Sequence, residues 1–210
     1  MAEWSQRDYL LQHWQALRVE VDIDLYVGET ASAYARMVRA LPALRKSFLL
    51  KGQYTRAVTA DMRGRCAVAS SLSVPRESAA RLAEARRMAR QLERERVPHA
   101  ALWAVILRAG VASVQGKTDR AAVCLRTAIE LAGQLDMSLY SLAARYQLGS
   151  LVGGEEREIA LADEAMRAAG VVAPKRFAPV LVPGRWERLV RRQYTAAPRR
   201  DGKQPSASPS

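Results

Sequence analysis

Apolar side chains recur along most of the chain at the three- and four-residue spacing that is typical of amphipathic helices. This pattern predicts eight helices, at residues 3–27, 30–41, 44–72, 76–96, 98–114, 118–134, 137–151 and 155–169. Pro42 is predicted to end the second helix, because proline has no N–H to donate within a helix. The sequence therefore predicts an all-α fold in which the helices form about four pairs.

One stretch near the N-terminus also fits a strand. Apolar residues alternate with polar ones from Val19 to Val27, which is the two-residue period of a half-buried strand. We favour a helix there, because the stretch continues the first amphipathic helix and ends at a Gly28-Glu29 turn.

A pattern of small and apolar side chains occurs twice. After both Gly28 and Gly116, alanine, a bulky apolar residue and alanine follow at five, nine and twelve residues: Ala33, Met37 and Ala40; Ala121, Leu125 and Ala128. The two glycines are 88 residues apart, which is two periods of about 44. A glycine turn followed by a helix with small residues at fixed positions predicts a stack of helix hairpins. Such stacks are usually binding surfaces.

The composition changes after residue 172. Residues 1–172 are predicted to form a helical-repeat domain, and residues 173–194, which hold three prolines, a C-terminal segment that caps the last helix. Residues 195–210 lack large apolar side chains and are rich in proline, serine and arginine. Such a segment cannot bury enough apolar surface to offset the entropy of ordering, so we expect a disordered basic tail.

The formal net charge is +12, and the basic residues are unevenly distributed. Residues 36–65 hold eight basic residues and one acidic residue, Asp61, and residues 76–96 are also dense in arginine. A solvated basic face and a surface that binds an acidic protein segment both fit this pattern. The candidate partner-binding residues are Arg36, Arg39, Arg45, Lys46, Lys51, Tyr54, Arg56 and Arg63.

The alternative function is a nucleic-acid-associated regulator that uses the same basic surface of residues 36–65. Nucleic acid is the less favoured partner, because single strands need aromatic side chains on which bases stack. Only Phe48 and Tyr54 are interleaved with these basic residues.

The residues with catalytic or ligand chemistry are isolated from one another. His13 and His99 have no metal-ligand spacing, and Ser70 and its neighbouring serines have no histidine or lysine at a suggestive distance. Cys66 and Cys124 lie among apolar residues, 58 positions apart, so we expect buried free thiols. We expect no metal, no cofactor and no enzymatic activity in this chain.

The tripeptide Gly116-Lys117-Thr118 is similar to the end of a phosphate-binding loop. That loop needs a glycine five residues before its Gly-Lys pair, where this chain has Val111. The preceding residues are also predicted to be a helix rather than a strand. A turn between two hairpins is the better interpretation.

The first predicted helix is too apolar for a free end of a stack, because terminal repeats need a polar outer face. Trp4, Leu11 and Trp14 form a candidate exposed packing face on this helix. We expect the face to pack on an upstream repeat, on a partner or, by self-association, on a second copy of the chain.

No apolar segment near the N-terminus is typical of a secretion signal. The longest apolar run, residues 100–107, is far shorter than the about 20 residues of a membrane-spanning helix. We therefore expect a cytoplasmic protein without a membrane partner.

The turn and helix from Gly116 to Ala128 resemble the second half of a tetratricopeptide hairpin. Three longer stretches are VDIDLYVGETASAYARMVRALPALRKSFLL (from Val21), MSLYSLAARYQLGSLVGGEE (from Met137) and MRAAGVVAPKRFAPVLVPG (from Met166). Together they resemble the C-terminal helical-repeat region of large bacterial serine/threonine protein kinases of the myxobacterial type. In that family a kinase domain precedes an AAA-like signalling ATPase and a tetratricopeptide-like tail.

The resemblance implies a right-handed solenoid of tetratricopeptide-like hairpins with a non-catalytic interaction or regulatory function. It also implies an upstream kinase or ATPase domain as a partner. The chain has no glycine-rich kinase loop, no His-Arg-Asp sequence and no Asp-Phe-Gly sequence. No catalytic residue is therefore transferred from the family to this chain. A stand-alone protein and a fragment of a longer one both fit.

Overall fold

The structure, a computed structural model, describes residues 9–153 and 156–187. Within these ranges the chain forms nine α-helices and no strand: α1 (Leu11–Val27), α2 (Thr30–Lys46), α3 (Gln53–Ser73), α4 (Ser78–Arg94), α5 (Pro98–Val114), α6 (Thr118–Gln134), α7 (Ser138–Val152), α8 (Glu156–Ala168) and α9 (Pro174–Leu181). Each helix contacts the next one in the chain. The expected all-α fold is confirmed for these residues, and Val19–Val27 lie in a helix rather than a strand.

The helices that begin successive pairs start at residues 11, 53, 98 and 138. Their intervals are close to the predicted period of about 44 residues. The packing order and this spacing are compatible with a repeat-like stack of helix hairpins.

The prediction that Pro42 ends the second helix is wrong. Helix α2 continues through Pro42 to Lys46, and the chain breaks instead at Ser47–Gly52, which includes a short 3₁₀ helix (Phe48–Lys51). Pro42 and Val38 are both exposed, so the carbonyl that loses its helical donor lies on the solvent side. Helix α3 consequently begins at Gln53.

The two glycines of the repeated pattern end helices in the same way. Gly28 and Gly116 have φ values of 89° and 72°. In both turns the glycine N–H donates to the carbonyl three residues earlier, and the following N–H donates to the carbonyl five residues before itself. This is the Schellman motif, in which a left-handed residue satisfies the last carbonyls of a helix. A β-carbon would be strained at both positions.

The repeated small and apolar side chains lie between neighbouring helices. Of these six side chains, Ala40 is half-buried. The other five are at most 1% exposed: Ala33, Met37, Ala121, Leu125 and Ala128. The sequence repeat is therefore a repeat of buried packing positions in α2 and α6.

Helix α3 lies at the centre of the fold and contacts α1, α2, α4, α5 and α9. Helix α9 folds back onto the stack, where it contacts α1, α3 and α7 as well as α8. The predicted cap over the end of the eighth helix is thus a more extensive element. It covers one face of the stack rather than one end.

Candidate functional site

Residues 174–187, here called the C-terminal strap, cross the face formed by α1, α3, α5 and α7. Side chains of that face bind the backbone of the strap directly. The Arg65 Nη1 atom donates to the carbonyl of Val180 at 2.8 Å. On α5, the Ser113 hydroxyl accepts from the backbone N–H of Arg185 at 3.0 Å. These bonds hold the strap across the face formed by α1, α3, α5 and α7, which we call the inner face and which is therefore covered by the chain itself.

Apolar contacts fix the strap at its C-terminal half. Val182 and Trp186 are 0% and 5% exposed, and the Trp186 Nε1 atom donates to the Val182 carbonyl at 2.9 Å. The strap passes so close to α5 that a β-carbon on Gly110 would lie 2.3 Å from the Pro183 carbonyl oxygen. Gly110 is thus required by this close approach rather than by a turn.

The buried Arg65 joins α1, α3 and the strap through two ion pairs and a hydrogen bond. The Arg65 guanidinium, 6% exposed, donates to Asp61 at 2.8 Å and to Asp22 at 2.9 Å. Burial opposes the charge on Arg65, but the two carboxylates outweigh it and raise the pKa of the guanidinium. Burial also raises the pKa of Asp61, against the attraction of Arg65. The network is structural, because each of its charges is paired with another residue of the chain.

Three of the predicted partner-binding arginines bind carboxylates of this chain. Arg36 pairs with Asp24 at 3.0 Å and with Glu20 at 2.8 Å. Arg56 donates to both carboxylate oxygens of Glu95, at 2.6 and 2.8 Å. Arg63 pairs with Glu84, which is itself buried and accepts a hydrogen bond from the Tyr34 hydroxyl at 2.5 Å. Much of the charge in residues 36–65 is thus neutralised by acidic residues that are distant in the sequence.

The other predicted partner-binding residues are exposed. Arg39, Arg45 and Lys46 lie on the surface of α2. Lys51 lies over the exposed ring of Phe48, with its Nζ atom 4.4 Å from the ring centroid. Tyr54 contacts Trp14 and His99 edge-on, at centroid distances of 6.3 and 6.1 Å.

The prediction that Trp14 belongs to an exposed packing face is wrong. Trp14 is 1% exposed, and its Nε1 atom donates to the Thr59 hydroxyl at 3.0 Å, so it anchors α1 to α3. Leu11 is 51% exposed, and Trp4 lies outside the described residues. The exposed apolar side chains of α1 continue along the helix, at Val19, Ile23 and Val27.

A cleft of about 410 Å³ lies between α4, α5 and α6, and we call it the cationic cleft. Five basic side chains line it: Arg86 and Arg90 from α4, Arg108 from α5, Lys117 from the following turn, and Arg120 from α6. Four buried aliphatic side chains form its floor: Ala89, Leu107, Val111 and Ala112. Cationic groups from three helices thus surround an apolar base.

The cationic cleft has an unbalanced charge. No acidic residue of the described ranges lines it. Arg108 pairs with Glu93, whereas Arg86, Arg90, Lys117 and Arg120 form no ion pair with any residue in the described ranges. Basic groups around a low-dielectric floor concentrate positive potential at one place. The cleft therefore favours an anionic ligand.

Sequence reasoning did not find the cationic cleft. The sequence contains two indications of the cleft. Arg86 and Arg90 are one helical turn apart, and Lys117 and Arg120 lie close to the Gly116 turn. Only the packing of α4 against α5, and of α5 against α6, shows that these residues share one space. The phosphate-loop interpretation of Lys117 stays unsupported, because a helix rather than a strand precedes it.

Two of the isolated residues with catalytic chemistry, Cys66 and His99, are packed among other side chains. Burial raises the pKa of the Cys66 thiol to about 12, and lowers the pKa of His99, whose ring lies 4.5 Å from that of Trp103. Cys66 is a buried free thiol, as predicted, and Cys124 is half-buried. In the described ranges no three potential metal ligands come together, and no helix has the length and apolar character needed to cross a bilayer.

Comparisons with known proteins leave the resemblance to kinase-associated repeats as a prediction. No family model matches the chain, and neither a curated protein nor a solved structure matches it. The interpretation of function therefore depends on the geometry of the chain itself.

Proposed function

We propose that the chain is a non-catalytic protein-interaction module that binds an acidic segment of a partner protein in the cationic cleft. The observation that carries this proposal is the convergence of five basic side chains on one cleft that, among the residues described by the structure, no acidic side chain lines. The covered inner face supports the same conclusion. The C-terminal strap lies across the face formed by α1, α3, α5 and α7, and it leaves the cleft between α4, α5 and α6 available to a partner.

The repeat type is part of the proposal. Tetratricopeptide-like hairpins are supported by the shared glycine turns at Gly28 and Gly116 and by the buried alanines that follow them. The resemblance to kinase-associated tails supports a regulatory role beside a bacterial serine/threonine kinase–ATPase. The sequence encoded directly upstream tests that association: kinase and ATPase domains there support it, and an unrelated sequence contradicts it.

Peptide binding tests the interaction itself. The probe is a fluorescein-labelled ten-residue peptide rich in glutamate, compared with the same peptide carrying glutamine at every glutamate position. We expect the glutamate peptide to bind and its affinity to fall steadily as salt is raised from about 0.05 to 0.3 M, because the contacts are ionic. Equal binding of the two peptides would contradict the proposal.

Two matched double variants locate the site. Arg90→Gln/Arg120→Gln removes two charges from the cationic cleft, and Arg39→Gln/Arg45→Gln removes two exposed charges from α2. We expect the first to weaken binding by about tenfold and the second by less than about twofold. The reverse result would place the partner on the basic surface predicted from residues 36–65. Tighter binding of duplex DNA than of the glutamate peptide would favour the nucleic-acid-associated regulator.

A further inference from the structure

We propose that the cationic cleft is a phosphate-recognition site for a phosphorylated serine or threonine side chain of the partner, an assignment that rests on the proposed function.

The number of cations in the cleft exceeds what one carboxylate can balance. Arg86, Arg90, Lys117 and Arg120 have no ion-pair partner in the described ranges, and all of them border the same space. A glutamate side chain brings one negative charge, whereas a phosphate monoester brings about two, with three acceptor oxygens. Several convergent basic groups are therefore matched better by a phosphate dianion.

The type of cation fits the same ligand. Four of the five basic side chains are arginines, and a guanidinium offers donors in a planar fork that binds two phosphate oxygens at once. Because the arginines come from α4, α5 and α6, they approach a central group from different directions. Arginine clusters of this kind are a recurrent mode of phosphopeptide recognition.

The floor and the size of the cleft indicate a peptide rather than a free ion. The cleft volume of about 410 Å³ is larger than one phosphate group needs. Its floor is formed by Ala89, Leu107, Val111 and Ala112, against which the methylene or methyl group of a phosphorylated side chain can pack. Within the part of the chain that the structure describes, no aromatic side chain lines it, so no stacking surface for bases is found there.

The experiment compares three labelled peptides that differ at one central position within the same flanking glutamates: phosphoserine, glutamate or serine. We expect the phosphoserine peptide to bind the full chain at least about tenfold tighter than the glutamate peptide. Arg90→Gln/Arg120→Gln should reduce this preference to about twofold or less, and Arg39→Gln/Arg45→Gln should leave it unchanged. Circular dichroism checks that both variants keep the helical fold.

The pH dependence gives a second readout. The dianion of a phosphate monoester takes up a proton near pH 6, whereas glutamate stays mostly charged down to about pH 4.5. Neither His13 nor His99, the two histidines of the chain, is among the described residues that line the cleft. We therefore expect binding of the phosphoserine peptide to weaken between pH 7.5 and 5.5, and binding of the glutamate peptide to stay constant over that interval.

Each other outcome overturns the inference. If the phosphoserine and glutamate peptides bind equally, the cleft recognises acidic charge alone, and the proposed function stands without the phosphate preference. If no peptide binds, both proposals fail. If free phosphoserine or a nucleoside triphosphate displaces the labelled peptide at the same concentration as the unlabelled phosphopeptide does, the ligand is a small molecule. Tighter binding of an RNA oligonucleotide than of the phosphopeptide overturns it as well.

Discussion

The Arg65 guanidinium donates to the backbone carbonyl of Val180 at 2.8 Å, across 115 residues of sequence. The same side chain binds Asp61 within α3 and Asp22 on α1. One buried cation therefore connects the first helix, the central helix and the C-terminal strap. Because the position of the Arg65 side chain depends on all three elements, attachment of the strap to the inner face is coupled to the packing of α1 against α3.

Removing this cation tests the coupling. We expect Arg65→Met to lower the free energy of unfolding by about 3–5 kcal/mol, because it leaves the buried carboxylate of Asp61 without its partner. Urea denaturation followed by circular dichroism measures the loss. The double variant Arg65→Met/Asp61→Leu removes both buried charges, so it should recover most of that stability. A double variant that is less stable than the single one would contradict this account.

The close approach of the strap to α5 gives a second prediction. In Gly110→Ala the new β-carbon would lie 2.3 Å from the Pro183 carbonyl oxygen and 2.9 Å from a methyl carbon of Val68, so the strap must shift. We expect a loss of about 1–3 kcal/mol in unfolding free energy and faster amide hydrogen exchange in residues 180–186.

A helical glycine with open space around it provides the control. Gly133 lies in α6, and a β-carbon there would meet no heavy atom within 4 Å. Gly133→Ala should therefore stabilise the protein by up to about 1 kcal/mol, through the lower conformational entropy of the unfolded chain. An equal loss of unfolding free energy in Gly110→Ala and Gly133→Ala would show that the strap does not constrain position 110.

The register of the sequence repeat can be tested in α6. Leu125 is 0% exposed and occupies the bulky apolar position of the repeat, so Leu125→Ala should cost about 2–5 kcal/mol by leaving a cavity. Val123 is 59% exposed on the same helix, and Val123→Ala should change the unfolding free energy by less than about 0.5 kcal/mol. An unchanged denaturation midpoint for Leu125→Ala would contradict the register.

The ion pair between Arg56 and Glu95 predicts a pH dependence of stability. The Arg56 guanidinium lowers the pKa of Glu95 below the ordinary value of 4.5, against the smaller effect of burial. A carboxylate whose pKa is lowered by folding stabilises the protein above its unfolded pKa, and this contribution is lost as the pH falls through the folded pKa. Glu95 should therefore contribute fully at pH 6 and progressively less below about pH 4.5.

A glutamine substitution isolates this contribution. Glu95→Gln should lower the unfolding free energy at pH 6 by about 1–3 kcal/mol, since it weakens two charged hydrogen bonds. The difference in unfolding free energy between Glu95→Gln and the unchanged protein should become smaller as the pH approaches 3. Glu130 is exposed on α6, so Glu130→Gln serves as the control and should have little effect at either pH. If the difference in unfolding free energy stays constant from pH 6 to pH 3, protonation of Glu95 is not linked to stability, and the prediction is wrong.

The amino-acid sequence by itself determined eight of the nine helices of the described residues and most of their ends, but not the end of α2, the start of α3 or the helix α9. The spacing of apolar residues placed α4, α5 and α6 within a few residues, and the pattern after Gly28 and Gly116 identified the buried positions of α2 and α6. These features depend on neighbours a few residues apart, so a local pattern is sufficient. Pro42 was misjudged, because a proline whose freed carbonyl reaches solvent can be accommodated within a helix.

Tertiary structure alone decided which charges are free to bind a partner. Arg56 and Arg63 look like surface cations in the sequence, but Glu95 and Glu84, 39 and 21 residues away, bind them. The cationic cleft and the path of the C-terminal strap arise in the same way, from elements that meet only when the helices pack. Electrostatic and packing energies depend on distance in space, and sequence separation does not report that distance.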